Sequence, residues 1–223
     1  MADTTAEQLK NEFQLTLSKF AHEIRNPLAL INSELQLMVS SHPELADYSQ
    51  WDDLIDNLEY IKELLNEFSD YNNAGKLSLC TVNPGEFLIS ILSCEKTTLD
   101  YLGITLKTDI SDNPKQLLLD RIKMRQALLN LLRNARESIT HSNGQITVRL
   151  ENTASGICIS VEDNGCGMTQ KQLNNIFSPF VTSKATGTGL GLAITEQIIK
   201  AHGGYIEADS RQGQGSVFKI FLG

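Results

Sequence analysis

The sequence predicts two domains of different class. An all-α antiparallel helical hairpin is predicted over residues 1–75, and an α+β sandwich over residues 76–223. Before Gly75, apolar residues recur at helical spacing through two long segments; after it, short alternating segments interleave with helical ones. A length of 223 residues is enough for two such domains. We therefore expect strands only in the second domain, as one mixed sheet covered by helices on one face.

The first helix is predicted from about Thr5 to Ser40, a stretch without glycine. Its apolar residues follow at steps of three and four, and they are Phe13, Leu17, Phe20, Ile24, Pro27/Leu28, Ile31, Leu35 and Met38. His42-Pro43 marks its end, and the same spacing predicts a second helix over residues 49–72. Because a lone hairpin cannot bury the apolar seams of both helices, we expect a homodimeric four-helix bundle.

The second domain begins with a predicted strand, after which Asn83-Pro84 indicates a helix start. Asparagine caps helices, and proline suits the first helical turn. Alternation predicts strands at residues 76–82, 104–110, 116–119, 144–151, 157–162, 205–208 and 216–222. Helical spacing predicts helices at residues 84–99, 120–139 and 190–201.

Composition excludes several classes of function. A formal net charge of −8 argues against a broad basic face for nucleic acid. The four cysteines are irregularly spaced, which favours reduced thiols over a zinc site or a disulfide framework. No apolar run approaches the roughly 18–20 residues of a membrane span, and the first residues lack signal-peptide character. We expect a cytoplasmic segment that makes no membrane contact.

The first helix carries the string His22-Glu23-Ile24-Arg25-Asn26-Pro27. His22 falls at an outward-facing position between two seam residues. The zinc pattern HExxH is excluded because Asn26 stands where the second histidine is needed. A lone histidine on a polar face is most often a solvated surface residue. Here Glu23 is placed to accept a proton from Nδ1, which leaves Nε2 as a nucleophile. Asn26, one turn on, is placed to position a water or substrate oxygen.

Asparagine and aspartate mark a second group. Asn130 and Asn134 lie at i and i+4 on one predicted helix face, and amide oxygens are suitable ligands for Mg²⁺. Asp163 ends a predicted strand and precedes Gly165 and Gly167. A buried carboxylate there would accept a hydrogen bond from the amino group of adenine, and glycines let the backbone approach the base. The alternative is a pair of surface asparagines and an ordinary turn.

A glycine-rich segment opens the last predicted helix. It runs from Gly187 to Gly191 and follows Phe177–Lys184. Such a segment offers backbone N–H groups to phosphate. It lacks the strand-to-helix context of a dinucleotide-binding fold and the GK[ST] of a P-loop.

In chain order, these segments resemble the N, G1, F and G2 boxes of the ATP-binding domain shared by histidine kinases, gyrase, the ninety-kilodalton heat-shock chaperone and mismatch-repair ATPases. The string HEIRNPL is similar to the phosphoacceptor motif of sensor histidine kinases, in particular the nitrogen-regulation and sporulation-type branch. Together the motifs extend the resemblance over nearly all 223 residues.

The resemblance implies ATP and Mg²⁺ as ligands, with Asn134 as the main magnesium ligand and Asn130 beside it. Asp163 would accept a hydrogen bond from the amino group of adenine, in a pocket shaped by Gly165 and Gly167. Thr182 and Lys184 would lie in a mobile lid near the phosphates. The glycine segment would supply the remaining implied ATP-binding residues, which are Gly187, Thr188, Gly189, Leu190 and Gly191.

The resemblance also implies ATP-dependent autophosphorylation on His22, followed by transfer to an aspartate of a response-regulator receiver domain. Asn26 would serve a reverse, phosphatase activity. ATP-hydrolysing members resemble one another in a glutamate where this chain has Asn130, so hydrolysis is disfavoured. The family implies a homodimer and allows a longer, membrane-anchored sensor of which this is the cytoplasmic portion. Two alternatives are a serine kinase of the anti-sigma-factor type and a non-catalytic phosphorelay scaffold.

Overall fold

The computed structural model describes residues 2–182, 184 and 187–223, and the side chains of these residues except 2–20 and 22. The chain divides into two compact units, Met1–Asn73 and Ala74–Gly223. Among the described residues, no helix is long and apolar enough to cross a membrane.

The first unit is a helical hairpin. Helix α1 (Ala2–Ser41) is followed by a 3₁₀ turn (Pro43–Asp47) and helix α2 (Ser49–Asn73). The two helices pack against each other, and the Arg25 guanidinium on α1 donates to Asn66 Oδ1 on α2 at 3.3 Å. This contact between residues far apart in sequence agrees with the predicted antiparallel arrangement.

The second unit carries all the strands of the described chain. In order, its elements are β1 (Cys80–Val82), α3 (Pro84–Tyr101), β2 (Thr105–Ile110), β3 (Leu117–Leu119), α4 (Arg121–Ser138), β4 (Gln145–Asn152), β5 (Ile157–Asp163), α5 (Gln170–Leu173), α6 (Gly191–Ala201), β6 (Tyr205–Arg211) and β7 (Gly215–Leu222). The short helix α5 is the one element here that periodicity did not predict.

Five strands form one sheet in the order β2-β4-β5-β7-β6. Strands β2 and β4 are parallel and the other neighbours are antiparallel, which confirms the predicted mixed sheet. Its central strands bury alternate apolar side chains such as Ile146, Val148 and Leu150. Helix α4 contacts this sheet and also α6, so both helices that carry the glycine and asparagine motifs lie side by side.

Strands β1 and β3 do not join that sheet, contrary to the prediction of a single one. They pair antiparallel with each other over three residues, from Cys80↔Leu119 to Val82↔Leu117. The strand predicted over 76–82 is therefore short, because β3 offers only three partners. Upstream, the Ser78 N–H bonds to the Asp120 carboxylate at 2.7 Å instead of to a strand, so its backbone donor is still satisfied.

Side-chain caps mark the starts of helices α3 and α4. The Asn83 side chain accepts from Gly85 and Glu86 with Pro84 in the first turn, as predicted. Asp120 caps α4: its Oδ1 accepts from Ile122 and Lys123 at 3.0 Å each. Burial raises the pKa of Asp120, but the backbone bonds from Ser78, Lys123 and Ile122 outweigh it, and the pKa lies below its usual value.

Replacing Asp120 with alanine is expected to lower the free energy of unfolding by about 2 kcal/mol at pH 7, because a cap and a buried acceptor are lost. Asp120→Asn keeps one acceptor oxygen and should lose less. A depressed folded-state pKa contributes stability above the unfolded pKa, and that contribution disappears as pH falls through the folded pKa. Urea unfolding should therefore show the wild-type advantage over Asp120→Asn shrinking in strong acid; growth on acidification would contradict this.

Candidate active site

The histidine string lies within α1. Glu23 and Asn26 have exposed side chains, and Pro27 lies inside the helix. The side chain of His22 lies outside the described residues, so its predicted outward orientation stays a prediction. Around it, the surface presents a carboxylate and an amide one turn apart.

Helix α4 carries the two asparagines on one face, but their side chains have different partners. The Asn130 Nδ2 donates to the Thr195 hydroxyl on α6 at 2.9 Å. The Asn134 Oδ1 accepts from the Lys184 ammonium at 3.0 Å. Asn130 is thus bonded to the neighbouring helix, whereas the Asn134 oxygen binds a cation from the segment that precedes the glycines.

Glu137 is a second residue that binds the Lys184 ammonium, and it was not predicted from the sequence as a site residue. The Lys184 ammonium also donates to the Glu137 carboxylate, whose other oxygen lies 3.8 Å from the Arg133 Nε. Glu137 lies three residues after Asn134, so the helical spacing carried a signal for it. An amide oxygen and a carboxylate that share one ammonium are a donor set suited to a hard cation.

Asp163 ends β5 in a buried position, with 5% of its surface exposed. Its Oδ1 accepts from the Ser138 hydroxyl and from the Gly165 N–H, both at 2.8 Å. Burial raises the pKa of this carboxyl above its usual value, although the bonds from Ser138, Gly165 and Ser216 oppose that effect. Ser138, four residues after Asn134, is a second site residue that sequence reasoning missed.

The loop after Asp163 approaches the end of α4 closely at Gly165. A Cβ on this residue would lie 2.6 Å from the Ser138 backbone carbonyl carbon, so no side chain fits. The Cys166 N–H donates to the Ser138 carbonyl at 2.9 Å. At Gly167, two residues on, a Cβ would be 2.8 Å from the Arg211 carbonyl carbon. Gly165 therefore shapes the surroundings of Asp163, and Gly167 packs on the turn between β6 and β7.

The glycine segment leads directly into α6. Gly189 has φ +70°, and its carbonyl accepts from the Phe180 N–H at 3.0 Å. The Leu190 side chain is buried, and its N–H donates to the Thr188 hydroxyl at 3.2 Å. Gly187 lies against Thr182, whose hydroxyl accepts from the Lys184 N–H at 3.1 Å.

Helix α4 is the common element of the site. Its side chains contact the start of α6, the Lys184 ammonium and the carboxylate at the end of β5. Among the described residues, no group of three or more His, Cys, Asp and Glu side chains is placed to hold a metal.

Comparisons with known proteins agree with this geometry. Residues 119–223, which include α4, β5 and α6, match the family model described as histidine kinase-, DNA gyrase B-, and HSP90-like ATPase. The chain is 31% identical to sporulation kinase C of Bacillus subtilis over 91% of its length and 47% of that relative. It is 32% identical to sensor histidine kinase ZraS of Escherichia coli over 91% of its length and 43% of that relative.

Two solved structures share the fold. Full-length ShkA in complex with AMPPNP superposes with a TM-score of 0.77 at 25% identity, over 92% of this chain and 44% of ShkA. The catalytic domain of histidine kinase ThkA has a TM-score of 0.59 at 30% identity, over 65% of this chain and 94% of that domain. The chain spans less than half the length of sporulation kinase C and less than half that of ZraS. By sequence and by fold, it belongs to the histidine kinases.

Proposed function

We propose that this chain transfers the γ-phosphoryl group of ATP to Nε2 of His22, and from there to an aspartate of a response-regulator receiver domain. Residues 1–75 would form the dimerisation and phosphotransfer domain, and residues 76–223 the ATP-binding domain. The observation that carries the proposal is the arrangement along α4, where a cation-binding oxygen on Asn134 lies one turn from Ser138 and its bonded carboxylate, Asp163.

Asp163 would select the base. Its buried carboxylate is an acceptor, which suits the exocyclic amino group of adenine and leaves the carbonyl oxygen of guanine without a partner. A buried polar group left unpaired costs about 1–3 kcal/mol, so the site should favour ATP over GTP. Ser138 and Gly165 both donate to Oδ1 and thereby hold the carboxylate in place.

Asn134 would hold Mg²⁺ with the phosphates, and Glu137 lies beside it. The fit rests on the Lys184 ammonium, a cation that these two side chains already bind. When bound, magnesium would neutralise the negative charge that develops on the transferred phosphoryl group. Thr182, Lys184, Thr188 and the N–H groups from Gly187 to Gly191 would contact the phosphates.

In the transfer itself, His22 Nε2 forms a bond to the γ-phosphorus while the bond from that phosphorus to the ADP oxygen breaks. Glu23, adjacent in sequence, would accept the proton from Nδ1. Asn130 cannot accept a proton, and its amide is engaged by Thr195. Water therefore lacks a general base at this position, which favours the imidazole as acceptor.

Asn26 would position water for dephosphorylation of the regulator, and an Asn26→Ala chain that kept full phosphatase activity would refute this role.

The hairpin supports a homodimer. Ile31 and Met38 on the predicted seam of the first helix, and Leu54 and Ile61 at the same apolar spacing in the second, remain 39–49% exposed in one copy. A second hairpin would bury them in a four-helix bundle. A solution mass near 24.7 kDa, that of one chain, instead of twice that value, would contradict the homodimer.

We place the protein in the cytoplasm, alone or as the cytoplasmic portion of a membrane-anchored sensor; fractionation of cells would test this.

Nucleotide affinity should weaken on acidification. Adenine recognition needs the Asp163 carboxylate, and because burial raises its pKa, protonation and loss of binding should begin at a higher pH than for an ordinary aspartate. Ser138→Ala removes a bond that lowers this pKa, so its affinity should fall at a higher pH than that of wild type. Titrations of the full wild-type and Ser138→Ala chains with ADP at several pH values measure how the affinity of each depends on pH. If the affinity of Ser138→Ala fell at a lower pH than that of wild type, the proposed role of Asp163 would be contradicted.

The direct test of the reaction class is incubation with γ-labelled ATP and magnesium, followed by acid and alkali. We expect a protein-bound label that is lost in acid and survives alkali, as phosphohistidine does. A label with the opposite behaviour would indicate a serine kinase. No label at all, with receiver phosphotransfer still possible from a phosphodonor, would indicate a phosphorelay scaffold.

A further inference from the structure

A buried hydroxyl on α6 is bonded to Asn130 but is not among the residues proposed above to contact ATP. Thr195 is fully buried, with 0% of its surface exposed. Its Oγ1 donates to the Gly191 carbonyl at 3.0 Å, and it receives the Asn130 Nδ2 donor at 2.9 Å. The bond to Gly191, four residues earlier, is common for threonine in helices. The bond from α4 is not explained by helix formation.

The hydroxyl determines which end of the Asn130 amide faces it. A threonine hydroxyl has one hydrogen, and here that hydrogen is donated to the Gly191 carbonyl. The group that faces Oγ1 from α4 must therefore be a donor, which is the NH₂ of Asn130. The Asn130 carbonyl oxygen is thereby turned away from Thr195.

The Asn130 side chain also contacts the start of α6. A Cβ on Gly191 would lie 3.0 Å from the Asn130 Cγ and closer still to Oδ1, so a larger residue at 191 would displace the Asn130 amide. Gly191, Thr195 and Asn130 thus form a closed set of contacts between the two helices. On one side of this set lies Asn134, one turn along α4; on the other lies the rest of the glycine segment, from Gly187 to Leu190.

We propose that Thr195 is a positioning residue of the phosphate end of the site. By fixing the orientation of the Asn130 amide, it holds the cation-binding helix α4 in register with the glycine segment that opens α6. This inference rests on the proposed function, and it concerns the phosphates alone. The adenine end depends on Asp163, Ser138 and Gly165, none of which contacts Thr195 through a described hydrogen bond.

The test compares Thr195→Val, which keeps the shape and removes the hydroxyl, with Thr195→Ser, which keeps the hydroxyl. The probes are AMP-PNP with magnesium, titrated by calorimetry, and adenosine, titrated by NMR, on the full chain. We expect Thr195→Val to bind AMP-PNP about tenfold more weakly, the effect of one lost hydrogen bond. Thr195→Ser should stay within about twofold of wild type, and adenosine affinity should not change in either variant.

A double-mutant cycle guards against a simple packing effect. On an Asn130→Ala background the Thr195→Val substitution should add little, because the partner is already gone. Wild-type AMP-PNP affinity in Thr195→Val, an equal loss for adenosine, or a Thr195→Ser chain as weak as Thr195→Val would each overturn the inference while leaving the proposed function intact. A wild-type chain that binds neither probe would overturn the proposed function, and this inference with it.

Discussion

A His22→Gln chain is expected to lose ATP-dependent labelling by more than about a thousandfold, because a side-chain amide nitrogen is not a nucleophile and no other group takes over the acceptor role. Its affinity for ATP should be unchanged, since the residues proposed to bind nucleotide lie in the second unit, Ala74–Gly223. Incorporation of label per chain, measured beside ADP affinity, separates these two properties.

The matched control for this prediction is His42→Gln. His42 lies in the same unit, and its exposed ring forms a contact with Glu44 at 3.1 Å. Loss of this imidazole should leave labelling at the wild-type level. Labelling that survived His22→Gln, or that fell equally in both variants, would remove His22 from its proposed role.

Replacing Asp163 with asparagine is expected to weaken nucleotide binding by about a hundredfold. Two donors, from Ser138 and Gly165, converge on Oδ1, so the amide oxygen of an asparagine must take that position. Its NH₂ group would then take the place of Oδ2 and, in the proposed site, face the amino group of adenine, donor against donor. Loss of a charged hydrogen bond with an unpaired buried group costs roughly 3 kcal/mol.

Asp120→Asn is the matched control, because it neutralises another buried aspartate at the opposite end of α4. Calorimetric titration with ADP should show a large loss for Asp163→Asn and no more than about a twofold change for Asp120→Asn. Similar affinities for the wild-type and Asp163→Asn chains would show that this carboxylate does not read the base. GTP competing as well as ATP would oppose the same role.

Local patterns predicted much of the fold. The cap at Asn83, the helix predicted over residues 120–139 and the strands that became β4 and β5 were predicted from neighbouring residues, and the structure confirms them. The separate pairing of β1 with β3 was not predictable in this way. Alternation indicates a strand, but its partner is chosen by tertiary contacts.

The same distinction applies to the site. Helical spacing placed Asn130 and Asn134 on one face, yet their partners, Thr195 and Lys184, lie 65 and 50 residues away. A spacing of four residues along a helix does not show which asparagine is bonded to α6 and which one binds a cation. Glu137 and Ser138 were within reach of sequence reasoning, because they follow Asn134 by three and four residues on the same helix. No motif, however, marks their polar side chains.

The central claim is that the phosphoryl group becomes bonded to the imidazole of His22. The most direct measurement is ³¹P NMR of the full chain after incubation with magnesium and ATP, joined to peptide mapping at neutral pH. We predict a single phosphohistidine resonance, with the phosphate on Nε2 and on the peptide that contains residue 22. A phosphate mapped to any other residue, or inorganic phosphate released without a protein-bound intermediate, would contradict the account.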